Sequence, residues 1–129
     1  MKAVNFDNLI TIQATSPLLT EKDFNNGIKI FQENAYDSLL TAVRTKRFFW
    51  DNNFQPINYN PLDRPRRQDF EGLLMENGAF YITKKSILEK YECRLAGKVG
   101  IYEMHEDTAI EIDEPSDWEI VENLLKKRN

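Results

Sequence analysis

Residues 9–33 read LITIQATSPLLTEKDFNNGIKIFQE, and this stretch decides how the fold begins. Its first four residues are apolar or β-branched and are flanked by polar positions, which predicts a buried strand over Leu9–Ile12. Thr20 and Asp23 have the spacing of a capping box, and apolar residues then recur at helical spacing, which predicts a helix over 21–33. The chain is therefore expected to open with a strand, a loop and a helix.

Similar elements continue along the rest of the chain. Side chains alternate between two faces from Ser38 to Arg44, as they do in a strand. Shorter patterns predict three more strands and two more helices: strands at 79–83, 99–104 and 109–113, and helices at 84–90 and from Pro115 onward. Strands that alternate with helices predict an α/β sandwich with a mixed, mainly parallel sheet, formed by residues 1–129 as a single domain.

Composition narrows the class of protein. The chain has 129 residues, of which 41% are hydrophobic and 29% charged, as expected for one globular domain. Its apolar runs are far shorter than the ~20 residues that cross a bilayer, so no membrane segment is predicted. A single cysteine, Cys93, excludes an internal disulfide and fits a reducing cytoplasm. The net charge of -4 argues against general nucleic-acid binding.

The charges are segregated along the chain. Residues 44–68 contain six basic residues and two acidic ones, whereas residues 103–122 contain nine acidic residues and no lysine or arginine. Such separation suits a site in which basic groups hold an anion and acidic groups hold a metal. The alternative is that both segments form solvated surface.

The most specific motif is RPRRQD at 64–69, followed by ENGAFY at 76–81. With QATSPL at 13–18 and IEID at 110–113, these runs resemble the acylneuraminate cytidylyltransferases in both order and spacing. The resemblance extends over nearly the whole chain and implies a partial Rossmann-like nucleotidyltransferase. It corresponds to the C-terminal half of that family only, since nothing here resembles the family's Gly-rich phosphate loop.

The resemblance implies a reaction and its requirements. CTP and a nine-carbon keto sugar of the sialic acid type would give a CMP-sugar and pyrophosphate, with Mg²⁺ as cofactor, in an enzyme that is usually dimeric. The nucleotide-binding half would be supplied in trans, or the chain is a truncated product or a vestige. Two alternatives remain open: a non-catalytic assembly or sugar-binding remnant of the family, and a keto-deoxy-octulosonate cytidylyltransferase, which explains the motifs less well.

Two carboxylates are candidate metal ligands. Glu111 and Asp113 would share one face of the predicted strand, with their carbons roughly 7 Å apart, and two such groups can hold a hard cation. Read without the family, Asp113 would cap the next helix and Glu111 would face solvent. The family has an Asp-x-Asp pair at this place that binds magnesium, which implies a metal-binding role for both residues and a catalytic one for Asp113.

The resemblance also implies the remaining site residues. Arg67 would be catalytic and would bind anionic oxygens of the substrates, for which a guanidinium is well suited. Gln13, Thr15, Asn77 and Tyr81 would bind the sugar. Without the family, the arginine would belong to a solvated loop, the tyrosine to the core or an interface, and the segment with Gln13 to a turn before a helix.

Residues 47–62 are aromatic and irregular, with no sustained period. This stretch, called the arm below, resembles the family's dimerisation arm and predicts a homodimer or a larger oligomer. Exposed aromatic side chains without a partner would form an association surface.

Overall fold

A computed structural model describes residues 5–128 of the chain. Its helices and strands follow one another as β1 (Asn8–Ile12), α1 (Glu21–Glu33), β2 (Ser38–Thr45), β3 (Leu73–Lys84), α2 (Lys85–Tyr91), β4 (Val99–Met104) and α3 (Pro115–Arg128). Short 3-10 turns occur at Pro61–Asp63, Arg67–Asp69 and Glu106–Ala109. No helix among the described residues is both long and apolar enough to span a bilayer.

The described strands form one open, mixed sheet in the order β1-β3-β2-β4. The predicted α/β class and mixed sheet are confirmed, but the sheet is not mainly parallel. Strand β3 is antiparallel to both of its neighbours, and only β2 and β4 are parallel. The reason is the direction of β3: the chain leaves β2 through the arm and returns antiparallel beside it, and α2 then connects the end of β3 to the start of β4 on the other side of β2.

Helix α1 packs on one face of this sheet and forms the main core. Its predicted bounds are confirmed, and Thr20 and Asp23 make the capping box in both directions. The ring of Phe24 lies 4.9 Å from that of Phe80, which is fully buried. A Cβ on Gly27 would lie 2.7 Å from the Phe80 ring, so the helix approaches the sheet this closely because position 27 has no side chain.

Strand β1 exists where it was predicted, but it is not buried. Leu9, Ile10 and Ile12 are 41%, 39% and 57% exposed. The apolar pattern identified a strand correctly, yet the strand lies at the edge of the sheet and pairs with β3 alone among the described strands. The apolar composition indicates that these side chains need cover from other residues, and the described residues supply only part of that cover.

The strand predicted over 109–113 is wrong. A 3-10 turn ends at Ala109, and residues 110–113 then run without regular structure before α3 begins at Pro115. The Ile112 N–H donates to the Thr15 carbonyl at 3.1 Å, so this segment is held by a loop and not by a sheet. Two isoleucines at alternate positions satisfy a strand pattern even where no neighbouring strand is available.

The arm folds back on itself as a short hairpin. Trp50 and Pro56 form an isolated antiparallel bridge, and the Ile57 N–H donates to the Phe49 carbonyl at 2.8 Å. Two of its apolar side chains stand almost free in solvent, with Phe54 84% and Leu62 97% exposed. The arm therefore presents apolar surface that the described part of the chain does not cover.

Candidate functional site

The candidate site lies where the loop after β1 meets the segment before α3. The Gln13 N–H donates to the Ala79 carbonyl at 3.2 Å, which extends the β1 pairing by one residue, and the neighbouring Thr15 accepts the Ile112 N–H. The loop after β1 thus binds β3 on one side and the segment before α3 on the other. Side chains from two distant parts of the sequence therefore meet beside β3. This is the edge of an open α/β sheet at which loops usually gather ligand-binding groups.

Gly78 makes this convergence possible. Its φ of +69° lies in the left-handed region that favours glycine, and it is buried. A Cβ placed on it would collide with the Gln13 amide oxygen and would lie 3.2 Å from Glu111 Oε1. Gln13 and Glu111 therefore both extend over the Gly78 backbone.

Tyr81 lies beside this pair but offers little surface to a ligand. Its side chain is only 3% exposed, and its hydroxyl donates to Glu76. Burial, the hydrogen bond to Glu76 and the negative charges of Glu76 and Glu111 raise the pKa of the phenol to about 12. Arg94 opposes this effect, since its guanidinium carbon lies 3.8 Å from the centre of the ring.

Glu76 and Arg94 are therefore site residues that the sequence reasoning missed. Glu76 stands inside the ENGAFY run, and its spacing of five from the tyrosine could have identified it only if the strand irregularity at Gly78 had been known. Arg94 follows α2 in an irregular stretch with no motif. It is placed by a backbone contact, because its carbonyl accepts the Thr83 hydroxyl at 2.7 Å.

Asn77 does not face the candidate site, which corrects the prediction that it binds sugar. It is 2% exposed, and its amide oxygen accepts the Thr41 hydroxyl at 2.6 Å. Its amide nitrogen donates to the Thr108 hydroxyl at 3.0 Å. Both ends of the side chain are occupied inside the protein, so its evident role is to tie β3 to β2 and to the 3-10 turn before Ile110.

Asp113 lies in the segment that leads into α3. It is exposed and lines a surface depression with Trp118 and Glu119 at the start of α3. Because 110–113 is not a strand, the strand periodicity from which a shared face was predicted does not apply to the two carboxylates. No group of three or more acidic, histidine or cysteine side chains that could hold a metal occurs among residues 5–128. A metal site that includes Glu111 and Asp113 would therefore draw on fewer than three such side chains.

Arg67 lies in a different, strongly basic cleft of about 490 Å³ that is lined by Lys46, Arg47, Arg64 and Arg67. The Lys46 ammonium donates to the Arg67 carbonyl at 3.2 Å, and the Arg64 guanidinium stacks 4.5 Å from the Phe48 ring centre. None of the described contacts joins Arg67 to Gln13, Tyr81 or Glu111. The predicted constellation is thus divided into a polar site beside Gly78 and a basic cleft at the base of the arm.

The polar site, here Gln13, Glu76, Tyr81, Arg94 and Glu111, has the chemistry of a polyol binder. It offers amide and carboxylate groups for sugar hydroxyls, and one guanidinium that suits a carboxylate. The site can hold and orient a polar ligand, which is the kind of task a group-transfer enzyme without a covalent intermediate requires.

Comparison with solved structures defines the class of this fold. The chain superimposes on 4-diphosphocytidyl-2C-methyl-D-erythritol synthase from Anaerococcus prevotii with a TM-score of 0.64 and 15% sequence identity, over 93% of this chain and 59% of that one. The chain therefore shares the fold of part of this protein. No model of an established protein family matches the chain.

Sequence relatives support the resemblance to the acylneuraminate cytidylyltransferases. The chain is 38% identical over 126 residues to N-acylneuraminate cytidylyltransferase A of Danio rerio and 34% identical to N-acylneuraminate cytidylyltransferase of Oncorhynchus mykiss, in each case over 92% of this chain and 29% of the relative. It is 29% identical to post-translational flagellin modification protein B of Campylobacter coli over 96% of this chain and 55% of that protein. The chain is homologous to part of the N-acylneuraminate cytidylyltransferases, which confirms the resemblance, and it spans less than a third of their length.

Proposed function

We propose that the chain is the sugar-binding part of a cytidylyltransferase that activates a nine-carbon keto sugar of the sialic acid type with CTP. The anomeric hydroxyl oxygen of the sugar attacks the α-phosphorus of CTP, the bond to the β-phosphate oxygen breaks, pyrophosphate leaves, and the hydroxyl proton passes to water. The observation that carries this proposal is the convergence of Gln13 and Glu111 over the Gly78 backbone. The names of the homologous proteins support the substrate class.

The residue roles follow from the contacts of the polar site. Gln13 and Glu111 bind sugar hydroxyls, Thr15 fixes the loop that carries Gln13, and Tyr81 positions the Glu76 carboxylate through its hydroxyl. This division of roles needs no protein nucleophile. Catalysis then depends on alignment and charge stabilisation.

Magnesium belongs to this proposal as a companion of the nucleotide. Because no cluster of three or more acidic, histidine or cysteine side chains occurs among the described residues, we propose that Mg²⁺ enters bound to CTP, as a substrate complex. Magnesium is commonly held by one or two carboxylates together with phosphate oxygens, so a nucleotide supplies the ligands that this chain lacks. A calorimetric titration of the chain with MgCl₂ alone should show no binding at millimolar concentration, and strong binding without nucleotide would contradict this assignment.

The basic cleft is the candidate anion-binding surface of the same reaction. Four cationic side chains, including that of Arg67, line this cleft. A single guanidinium can bind two oxygens of a phosphate or carboxylate at once. A titration with inorganic pyrophosphate tests this role. Arg67→Ala should weaken pyrophosphate binding at least fivefold, whereas Arg128→Ala, at the far end of α3, should leave it unchanged. Equal affinities of the two variants would remove Arg67 from the proposal.

Sugar binding is the direct test of the proposed function. Amide chemical shifts of the chain are followed by NMR during titration with N-acetylneuraminate, without CTP. Gln13→Ala and Glu111→Gln should each weaken binding about fivefold or more, the equivalent of one hydrogen bond of roughly 1 kcal/mol. Glu114→Gln, an exposed carboxylate three residues away, is the matched control. Equal shifts in all four proteins would refute the proposed site.

The exposure of the arm favours a second function, assembly. Phe54 and Leu62 lie on surface that the described residues leave uncovered, and apolar surface of this kind commonly marks an interface. We propose that the arm forms a homodimer contact, as the family resemblance implied. Light scattering coupled to size exclusion should give a dimer for the chain and a monomer for Phe54→Glu. A monomer for the unaltered chain at 100 μM, roughly the upper range of such measurements, would reject this role.

A further inference from the structure

Strand β1 ends the described sheet with an edge that is open and unprotected. Its five residues, Asn8–Ile12, include no proline and no charged residue. Natural edge strands are commonly protected by lysine, proline, a bulge or a covering helix. The opposite edge strand, β4, carries a charged residue of this protective kind, Glu103, which pairs with Arg44 at 2.7 Å.

The hydrogen bonds of β1 show which backbone groups face the open edge. The Lys85 N–H donates to the Asp7 carbonyl, and the Gln13 N–H donates to the Ala79 carbonyl. Antiparallel strands alternate between bonded and non-bonded pairs, so the odd-numbered residues between these two bonds face β3. The N–H and C=O groups of Ile10 and Ile12 therefore point away from the described sheet.

Both faces of β1 are also only partly covered by the described residues. Ile10 and Ile12 lie opposite Ile82 and Phe80 in the sheet, and these two partners are 2% and 0% exposed under the α1 layer. Ile10 and Ile12 themselves remain 39% and 57% exposed, so the core layer stops one strand short of the edge. On the other face, Leu9 lies opposite the buried Thr83 and is 41% exposed.

We propose that this edge accepts a β-strand of the nucleotide-binding remainder of the nucleotidyltransferase fold, with helices that complete both core layers. The identity of the partner rests on the proposed function. The chain covers 59% of the solved structure that it resembles, so a large part of that fold lies outside the matched region. A second copy of this chain fits less well: if two β1 strands paired, neither α1 would reach the shared edge, and the isoleucines would stay uncovered.

The experiment co-expresses the chain with the part of the Campylobacter coli flagellin modification protein B that lies outside the match. Native mass spectrometry should show a 1:1 complex, and amide hydrogen exchange should locate the contact. The amides of Ile10 and Ile12 should exchange at least tenfold more slowly in the complex. The amides of Leu9 and Thr11, which already face β3, should be protected both with and without the partner.

Variants separate pairing at the edge from general association. Ile10→Pro removes one outward N–H and spares the bonds to β3, so it should preserve the melting temperature and reduce complex formation at least tenfold. Ile12→Arg keeps the backbone and removes apolar cover, which provides the same test if the proline variant fails to fold. Ile120→Lys changes an apolar side chain of comparable exposure, 47%, on α3 and should bind normally.

Three outcomes would overturn the inference: no complex, a complex that Ile10→Pro and Ile12→Arg leave intact, or protection of Ile10 and Ile12 that grows with the concentration of the chain alone. The last outcome would identify a second copy as the occupant. A complex that protects β1 but releases no pyrophosphate from CTP and sugar would reject the proposed function and leave this inference standing.

Discussion

Replacing Asn77 by alanine should destabilise the protein without directly removing a sugar contact. The Asn77 amide links three parts of the fold, because it accepts the Thr41 hydroxyl of β2, accepts the Ala79 N–H at 3.3 Å, and donates to Thr108 in the 3-10 turn. Since the side chain is 2% exposed, water cannot freely replace these bonds in the variant.

The size of the stability loss depends on the hydrogen bonds that Thr41 and Thr108 can still make in the variant. The two shortest bonds, at 2.6 and 3.0 Å, are worth about 1 kcal/mol each. Thr41 can turn to the Phe80 carbonyl at 3.4 Å, and Thr108 already donates to the His105 carbonyl at 2.6 Å, so the cost of unpaired groups is at the lower end of its range. We expect a loss of about 2–3 kcal/mol in the free energy of unfolding, or about 10 °C in melting temperature.

Urea denaturation followed by tryptophan fluorescence measures this loss. Asn77→Asp should be worse than alanine near neutral pH, because a carboxylate oxygen would face the Thr108 carbonyl, and it should recover in acid. Asn123→Ala, on the exposed side of α3, is the control and should change stability by less than about 0.5 kcal/mol. If Asn77→Ala keeps full stability but loses N-acetylneuraminate binding, the structural role given to Asn77 is wrong.

Three further predictions concern the site and its surroundings. The Tyr81 phenol should titrate near pH 12, as measured by the absorbance difference between the chain and Tyr81→Phe. Because its pKa is raised in the folded state, the stability that this group contributes is present below pH ~10 and is lost as the pH rises from there toward about 12. Asp37→Asn should lower stability at neutral pH and make the free energy of unfolding, measured in urea titrations, depend less on acid pH. The reason is that the Lys98 backbone N–H, which donates at 2.8 Å, holds the pKa of the Asp37 carboxyl below its usual value. This contribution to stability is present above pH ~4 and is lost as the pH falls through the folded pKa. Gly78→Ala should cost about 1–3 kcal/mol in thermal denaturation and weaken sugar binding, because a side chain at φ +69° is strained and displaces Gln13.

Each of these predictions has an outcome that contradicts it. A Tyr81 phenol that titrates at pH 10, like a free tyrosine, would show that its burial and its bond to Glu76 are absent. An unchanged acid transition in Asp37→Asn would rule out the bond from Lys98. A Gly78→Ala variant of normal stability and sugar affinity would show that the backbone at position 78 does not adopt the left-handed conformation.

Part of the fold is encoded locally and could be predicted from the sequence. Helix α1 has the predicted bounds because its start depends on a threonine and an aspartate three residues apart, and its buried face depends on spacing within two turns. Strands β2 and β4 follow in the same way from short patterns of side chains. The motifs RPRRQD and ENGAFY also identified the family, since no general structural requirement would place those residues together.

The structure of the run before Pro115 and the burial of Asn77 depended on contacts between residues far apart in the sequence. The run before Pro115 has the composition of a strand, yet no neighbouring strand pairs with it among the described residues, and the Thr15 carbonyl holds it in an irregular path. Asn77 has the residue type of a sugar ligand, but the irregular pairing of β3 with β2 turns its amide into the core. Burial of a polar side chain is decided by what packs around it, which a local pattern does not specify.

The sequence by itself determined the family, the main helix, most of the strands and the residue types available for the chemistry, because these depend on motifs and on periods of a few residues. Only the tertiary structure decided that Gln13 and Glu111 meet over Gly78, that Arg67 lies in a separate basic cleft, and that β1 leaves an open edge. Strand order and the path of each connection set those distances, and they arise from packing between segments far apart in the chain.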